Sequence, residues 1–433
     1  MKRLSMFQLT LLVVFGGLAI SGVLIFALAI GGGQGNSIGA VKIWGTLDQN
    51  AFAAVIRQSA ENNPQLSQVT YEQKSAATFE ADLTNALASG QGPDLFLLRQ
   101  DYALKDAGKA ALIPFSALSQ TQFENTFIEA AAPFEAPSGI IAVPLVADPL
   151  ILYWNKDMFA SAGYAQPPKY WDELFDMAQK MSKRDDSGSI LKSAIAMGEY
   201  KNVTNAKDVL ATLILQAGGS ITAYDNAGHL VPALAPRAGA GSTQSAASAL
   251  RFYTEFADPS KNDYSWNRSL PESQKAFAAG DVALYVGYAS ERALIARMNP
   301  NLNFSVAPVP QIRAAANTLN TARVWGLAAS RSGSNPSGAI TAAFLLVSAD
   351  TGSALSSALG MPSARRDLLG RPAQGDNDLF NKQAILARSW LDPDPDKTAE
   401  VFRAMIENTT SGALLVAEAI QRADQEISHI LGL

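Results

Sequence analysis

The sequence predicts an α/β protein of two domains, set behind an N-terminal helix long enough to cross a membrane. Three observations lead there. Residues 41–98 alternate strand, helix, strand, helix, strand, the order of a parallel sheet with right-handed crossovers. The chain has 433 residues, more than one compact core holds, so two domains of ordinary size are expected. Residues 7–30 contain no charged side chain, and Gln8 is the one strongly polar residue among them.

Taken in chain order, the N-terminal segment comes first. Lys2 and Arg3 precede it, and the next basic residue is Lys42. At about 1.5 Å per residue the helix spans a hydrocarbon core of roughly 30 Å, and the charge asymmetry leaves the rest of the chain outside. A cleaved signal peptide is the competing reading, because Ala27-Leu28-Ala29 fits a small-x-small cleavage site. Residues 1–30 are therefore expected to form a signal anchor, and residues 31–40, which begin GGGQGNSIG, a flexible tether.

Strands are expected at 41–44, 69–72 and 94–98, with helices at 50–62 and 79–89 between them. Phe52, Val55 and Ile56 share one helical face, and Leu83 and Leu87 another. Apolar runs at 139–144 and 150–155 flank Asp148-Pro149. Helices are expected at 171–181, 207–217, 246–257, 274–279 and 337–348, and strands at 282–286, 303–309 and 324–329. Residues 232–245 read as an Ala/Gly/Ser/Pro-rich surface loop. The C-terminus reads as two helices, 398–408 and 414–431, with Asp394-Pro395 as a helix start.

Composition narrows the function. Hydrophobic residues make up 48% and charged residues 17%, a globular balance. The net charge of −5 and the lack of a basic stripe argue against nucleic acid. With no cysteine, disulfides, thiolate zinc sites and cysteine nucleophiles are excluded, and so is the usual acceptor for a lipid anchor. The Gly-x-Ser-x-Gly match at 35–39 lies in the tether, without the strand and helix a nucleophile elbow needs. His229 and His429 stand alone in sequence, so neither a histidine metal site nor a Ser-His triad is expected. No cofactor is called for, and the chain is not expected to be an enzyme.

Residues 139–181 read GIIAVPLVADPLILYWNKDMFASAGYAQPPKYWDELFDMAQKM. A Gly-led strand ends in Pro, an apolar strand ends in Asn-Lys-Asp, and Ala-Gly, Pro-Pro and an aromatic-Trp-Asp-Glu-Leu helix start follow. GQGPDLF at 90–96, FAAGDVALYVG at 277–287, the strand, turn and helix of 325–346, and GMPSAR at 360–365 come in a consistent order. This arrangement resembles the extracellular solute-binding proteins of the maltose-binding-protein type, the sugar-binding components of ABC importers. The resemblance covers most of residues 41–433. It implies a two-lobed periplasmic-binding-protein-like fold of type II, with residues 41–147 and 311–359 in one lobe and 148–310 and 360–433 in the other. It also implies a small polar ligand, a sugar or oligosaccharide, held between lobes that close by hinge bending, and ABC permease subunits as partners.

Sugar recognition needs aromatic faces for ring C–H groups and charged or amide groups for hydroxyls. On this basis nine residues are candidates. Trp44 ends the first strand, Asp48 opens the first helix, and Glu72 ends the second strand; Asp48 also suits a helix cap. Asp148 occupies the first crossover. Trp266 lies in a polar stretch, NDYSWNRS, and is expected to expose its ring. Tyr288 stands at a strand end, Arg323 and Trp325 at the hinge, and Arg365 after the late Pro. The bland reading of the two arginines is an interlobe ion pair. Two other classes stay open: an anchored surface scaffold or receptor accessory whose cleft is filled by side chains, and a glycan-cleaving enzyme with two carboxylates about 5–10 Å apart across the cleft.

Overall fold

The computed structural model describes residues 37–235, 244–313, 315 and 317–433. The anchor expected at 1–30, most of the tether and residues 236–243 of the expected surface loop lie outside them. Among the described residues no single helix is long and apolar enough to cross a membrane.

β1 (Val41–Gly45) pairs in parallel with β2 (Val69–Gln73) and with β3 (Leu95–Arg99). The connecting helices α1 (Gln49–Asn62) and α2 (Phe79–Ala88) bury the apolar stripes their sequences carry: Phe52, Val55 and Ile56 on α1, Phe79 and Leu83 on α2. The central strand is β4 (Val143–Asn155), 13 residues long and almost wholly buried. This strand takes in the end of the first apolar run, Val143-Pro144, and the whole of the second, while Gly139–Ile140 form a separate short strand paired with Glu135–Ala136.

Further strands of the large sheet are β5 (Ile190–Ile195), β6 (Val282–Tyr288), β7 (Phe304–Ala307), β8 (Asn320–Ala329) and β9 (Ala387–Arg388). β4 changes partner midway. Val143 to Pro149 pair antiparallel with β8, whose other edge meets β3. Leu150 to Asn155 pair with β6 and β7. Pro149 sits at the changeover, where its missing N–H breaks no ladder, and its carbonyl accepts from Ala289 N–H at 3.0 Å.

Two apolar cores divide at this point. The first holds Ile43, Phe52, Leu97, Phe134, Val143 and Leu327; the second holds Leu150, Tyr153, Trp266, Phe277 and Phe402. Helix α3 (Ala206–Gln216) packs in the second lobe, as do α4 (Pro395–Thr410) and α5 (Val416–Leu431). The stretch expected to join the second lobe from residue 360 divides differently. Ala364, Leu369, Ala384 and Ala387 belong to the first core, while Phe380 and everything from Val401 on belong to the second. The cause is backbone pairing: Ala147 N–H donates to Pro362 O at 2.8 Å and Ala364 N–H to Leu145 O at 3.0 Å. Gly360, at φ 65°, ends a helix in the left-handed conformation and does not cross between lobes.

Candidate functional site

Between the two cores lies a cleft of about 390 Å³, lined by both lobes. The first lobe supplies the end of β3 and the turn after it. Arg99 closes β3, and its Nε and Nη2 each donate to Asp101 at 2.6 Å, a bidentate pair. Burial pushes the Asp101 carboxyl up, but Arg99, with Lys207 and Arg323 nearby, holds it below the usual carboxylate range.

β8 supplies Thr321 and Arg323. Along this strand Asn320, Ala322 and Val324 are buried while Thr321, Arg323 and Trp325 share the other, half-buried face. Arg323 crosses to the second lobe. Its Nη2 donates to Asp208 at 2.9 Å, and its guanidinium lies 4.0 Å from the centre of the Tyr288 ring.

The second lobe adds Lys207 and Asp208 from the first turn of α3, and Tyr288 from the end of β6. The segment before α4 contributes Trp390 and Asp392. Lys207 Nζ donates to Asp392 and to the Thr398 hydroxyl, both at 2.7 Å, and lies 5.5 Å from the Trp390 ring centre. Burial pushes the Asp392 carboxyl up to about 6, against the pull of Lys207. At the rim, the Tyr102 hydroxyl donates to Asp396 at 2.7 Å, and Lys105 Nζ reaches Asp394 at 3.0 Å and Asp396 at 2.6 Å. Asp394 also caps α4, accepting from the Asp396 and Lys397 N–H groups, as the Asp-Pro start implies.

Of the nine candidates, Tyr288 and Arg323 line this cleft. Trp325 lies on the same strand face as Arg323, in register with Arg99 and half-buried against the first core. Asp148 is 2% exposed and turns into the hinge. It accepts from the Ser290 N–H at 2.9 Å and from its hydroxyl at 2.6 Å, and burial raises its pKa to about 6. Trp44, Asp48 and Glu72 stand beside one another at the β1 and β2 ends, outside the cleft lining. Lys74 lies 3.8 Å over the Trp44 ring and pairs with Glu72 at 2.6 Å. Asp48 caps α1 through Ala51 N–H at 2.8 Å. Arg365 pairs locally with Asp367 at 2.9 Å on the first lobe.

Trp266 requires a correction. It is 1% exposed, packed in the second core, and its indole N–H donates to Asn202 at 3.2 Å. The ring packs among the apolar side chains of the second core, and its one polar group is met by Asn202. Asn202 in turn donates to the carbonyls of Asn267 and Leu270, bracing the loop that leads into the cleft wall.

The residues not anticipated are Arg99, Asp101, Lys207, Asp208, Trp390 and Asp392. A signal existed for the first two: β3 ends where β1 does, and that argument had singled out Trp44. Trp390 had no comparable signal. Among the described residues no group of three or more His, Asp or Glu is placed to hold a metal ion.

A family model described as bacterial extracellular solute-binding protein matches residues 48–349, more than half of the chain. A cyclo/maltodextrin-binding protein solved with maltotetraose superposes with a TM-score of 0.72 at 17% identity, covering 92% of this chain and 97% of that one. A cyclic α-maltosyl-1,6-maltose binding protein from Arthrobacter globiformis gives 0.73 at 17% identity, covering 90% and 98%. These likenesses concern the fold. By sequence, a binding protein of Brucella abortus is 29% identical over 103 residues, 23% of this chain and 24% of its own length. A maltotriose-binding protein of Pyrococcus abyssi is 27% identical over 146 residues, 33% of this chain and 30% of its own. The chain thus spans about a quarter to a third of the length of these curated relatives.

Proposed function

Because the chain belongs to the bacterial extracellular solute-binding proteins, we propose that its interlobe cleft captures a sugar or oligosaccharide and presents it to the permease subunits of an ABC importer. The observation that carries this reading is the lining. Three cation–carboxylate pairs, Arg99–Asp101, Arg323–Asp208 and Lys207–Asp392, stand beside Tyr288 and Trp390 in one cleft between two cores.

The Arg99–Asp101 and Arg323–Asp208 pairs each offer a donor and an acceptor a few ångströms apart, which suits neighbouring hydroxyls of a sugar ring. The carboxylate accepts from one hydroxyl, and the guanidinium donates to the next. Such charge-assisted bonds are the stronger kind. Lys207 commits its three N–H groups to Asp392, Pro395 and Thr398 and so braces the wall. An arginine has five N–H donors, and the bond to Asp208 occupies Nη2 of Arg323, so donors remain for a ligand.

The hinge follows from β4. Its two halves belong to different lobes, and bending at Pro149–Leu150, where its pairing passes from β8 to β6, swings the walls together. The Arg323–Asp208 and Lys105–Asp394 and Asp396 contacts already join the lobes in this arrangement, so the opposite swing is what opens the cleft to a ligand. Residues 7–30 are the proposed membrane attachment, supported by their uncharged length.

The scaffold reading expects a cleft filled by side chains, and about 390 Å³ of open space argues for the binder. A glycan-cleaving enzyme would need a free acid and base; here Asp101, Asp208 and Asp392 are each tied to a cation. Calorimetric titration of the full-length chain with a panel of sugars tests the proposal. Saturable binding of at least one sugar is expected. Silence across the panel, with the protein folded, would overturn it.

A further inference from the structure

We propose that the lobes carry a latch of their own, Lys105 and Tyr102 of the first lobe on Asp394 and Asp396 of the second, which favours the closed cleft by protein–protein bonds alone and weakens in salt. The proposal rests on the hinge motion described above. Tyr102 and the short helix Ala103–Asp106 pack with the first core, and the chain around Asp394 and Asp396, from Trp390 to Val401, with the second. Asp396 is gripped at both oxygens. The Tyr102 hydroxyl donates to one at 2.7 Å, and Lys105 Nζ to the other at 2.6 Å. Lys105 also donates to Asp394 at 3.0 Å. These groups ride on different lobes, so a bend at Pro149–Leu150 that parts the walls has to break all three bonds.

Both halves of the latch are anchored within their own lobes. On the second lobe, Asp394 caps α4 by accepting from the Asp396 and Lys397 N–H groups, which fixes its carboxyl at a helix end. On the first, the buried Asp106 pairs with Lys109 at 2.8 Å, and Lys109 reaches Glu80, in the first turn of α2, at 3.0 Å. The segment that carries Lys105 is thereby tied to α2. Anchored partners lose less freedom when they bond, which is the usual reason exposed ion pairs contribute little. Lys105 is absent from the cleft lining, whereas Tyr102 and Asp396 are part of it, so the bonds of Lys105 act between the lobes and not on a ligand. The Asp396 side chain is 59% exposed and that of Lys105 30%, which leaves the pair open to screening by dissolved ions. Apparent affinity scales with the fraction of molecules already competent to bind, so such a latch raises affinity without touching the ligand.

The test is a spin-label distance measurement on the full-length chain with no sugar added. The chain has no cysteine, so Asn50→Cys on α1 and Lys201→Cys in the second lobe, both exposed positions, give one labelled pair spanning the lobes. At low salt a single short distance is expected to dominate. High salt and Lys105→Ala should each move population to longer distances, and Tyr102→Phe should do so by less. Lys180→Ala, which removes the Asp176 pair inside the second lobe, should leave the distribution unchanged. Circular dichroism checks that each variant keeps the wild-type fold. A distribution that Lys105→Ala leaves unmoved overturns the latch, whatever salt does, and so does an equal shift in Lys180→Ala. No sugar enters the measurement, so its failure leaves the carbohydrate reading standing, and calorimetry decides that reading separately.

Discussion

Trp266 and Trp390 both sit in polar stretches of the second lobe, yet they serve opposite ends of it. Trp266 is sealed in the core, with its indole N–H on Asn202, and supports the loop behind the cleft. Trp390 stays half-buried and turns its ring to the cleft beside Lys207. Two charged residues repeat the contrast. Asp148 and Arg323 face each other across β4 and β8, but the aspartate locks into the hinge on Ser290 while the arginine reaches into the cleft. The lesson is that a scaffold beneath the cleft and a wall facing it are built from the same residue types. What separates them is which neighbours the fold supplies.

Four measurements break or sharpen that contrast. The largest effect is expected for the scaffold. Trp266→Ala should cost about 3–5 kcal/mol in denaturant unfolding, from the cavity it leaves. If the loss is within ~0.5 kcal/mol, the ring is a surface residue and the contrast fails.

Asp148 comes next, through pH. Its folded pKa is raised to about 6 from the model-peptide value of 3.8. Between those values the folded protein keeps a proton that the unfolded chain has released. The stability this confers is full below about pH 4 and is lost as pH rises through about 6. Asp148→Asn does not titrate, so wild type should lose roughly 2–3 kcal/mol relative to it between pH 4 and pH 7. Urea unfolding at both values checks this, and a pH-independent difference would mean that Asp148 is not held in the hinge as described.

The wall variants should act on binding. Arg323→Ala removes the Asp208 pair and uncovers Tyr288. It is expected to weaken sugar binding about 30-fold, roughly 2 kcal/mol in a titration of the bound sugar. Unchanged affinity would move Arg323 to the scaffold. The smallest effect is expected for Trp390→Ala: about tenfold in affinity, or ~1.4 kcal/mol, with a smaller loss of stability than Trp266→Ala. A core-sized stability loss with normal affinity would erase the distinction between the two tryptophans.

Much of this was legible in the residues. The first three strands, the two helices between them and the capped start of α4 follow from periodicity and cap chemistry, which are local. Tyr288 and Arg323 were legible because a strand end and a hinge strand are recognisable positions. Trp44, Asp48 and Glu72 occupy the expected strand ends, but Lys74 covers the ring and Asp48 spends its carboxyl on a cap.

By itself the sequence determined the α/β alternation, the order of the elements and the uncharged N-terminal span, because each is written in spacing and composition along the chain, while the family entered through the resemblance of its ordered segments. Only the tertiary structure decided that β4 runs unbroken through Pro149, that Ala364, Leu369, Ala384 and Ala387 return to the first core, and that Arg99, Lys207 and Asp392 converge with Arg323. The physical reason is distance along the chain. Arg323 meets Asp208 across 115 positions, and Lys207 meets Asp392 across 185. No local pattern encodes such meetings, which come from the way two buried cores stack on one shared strand.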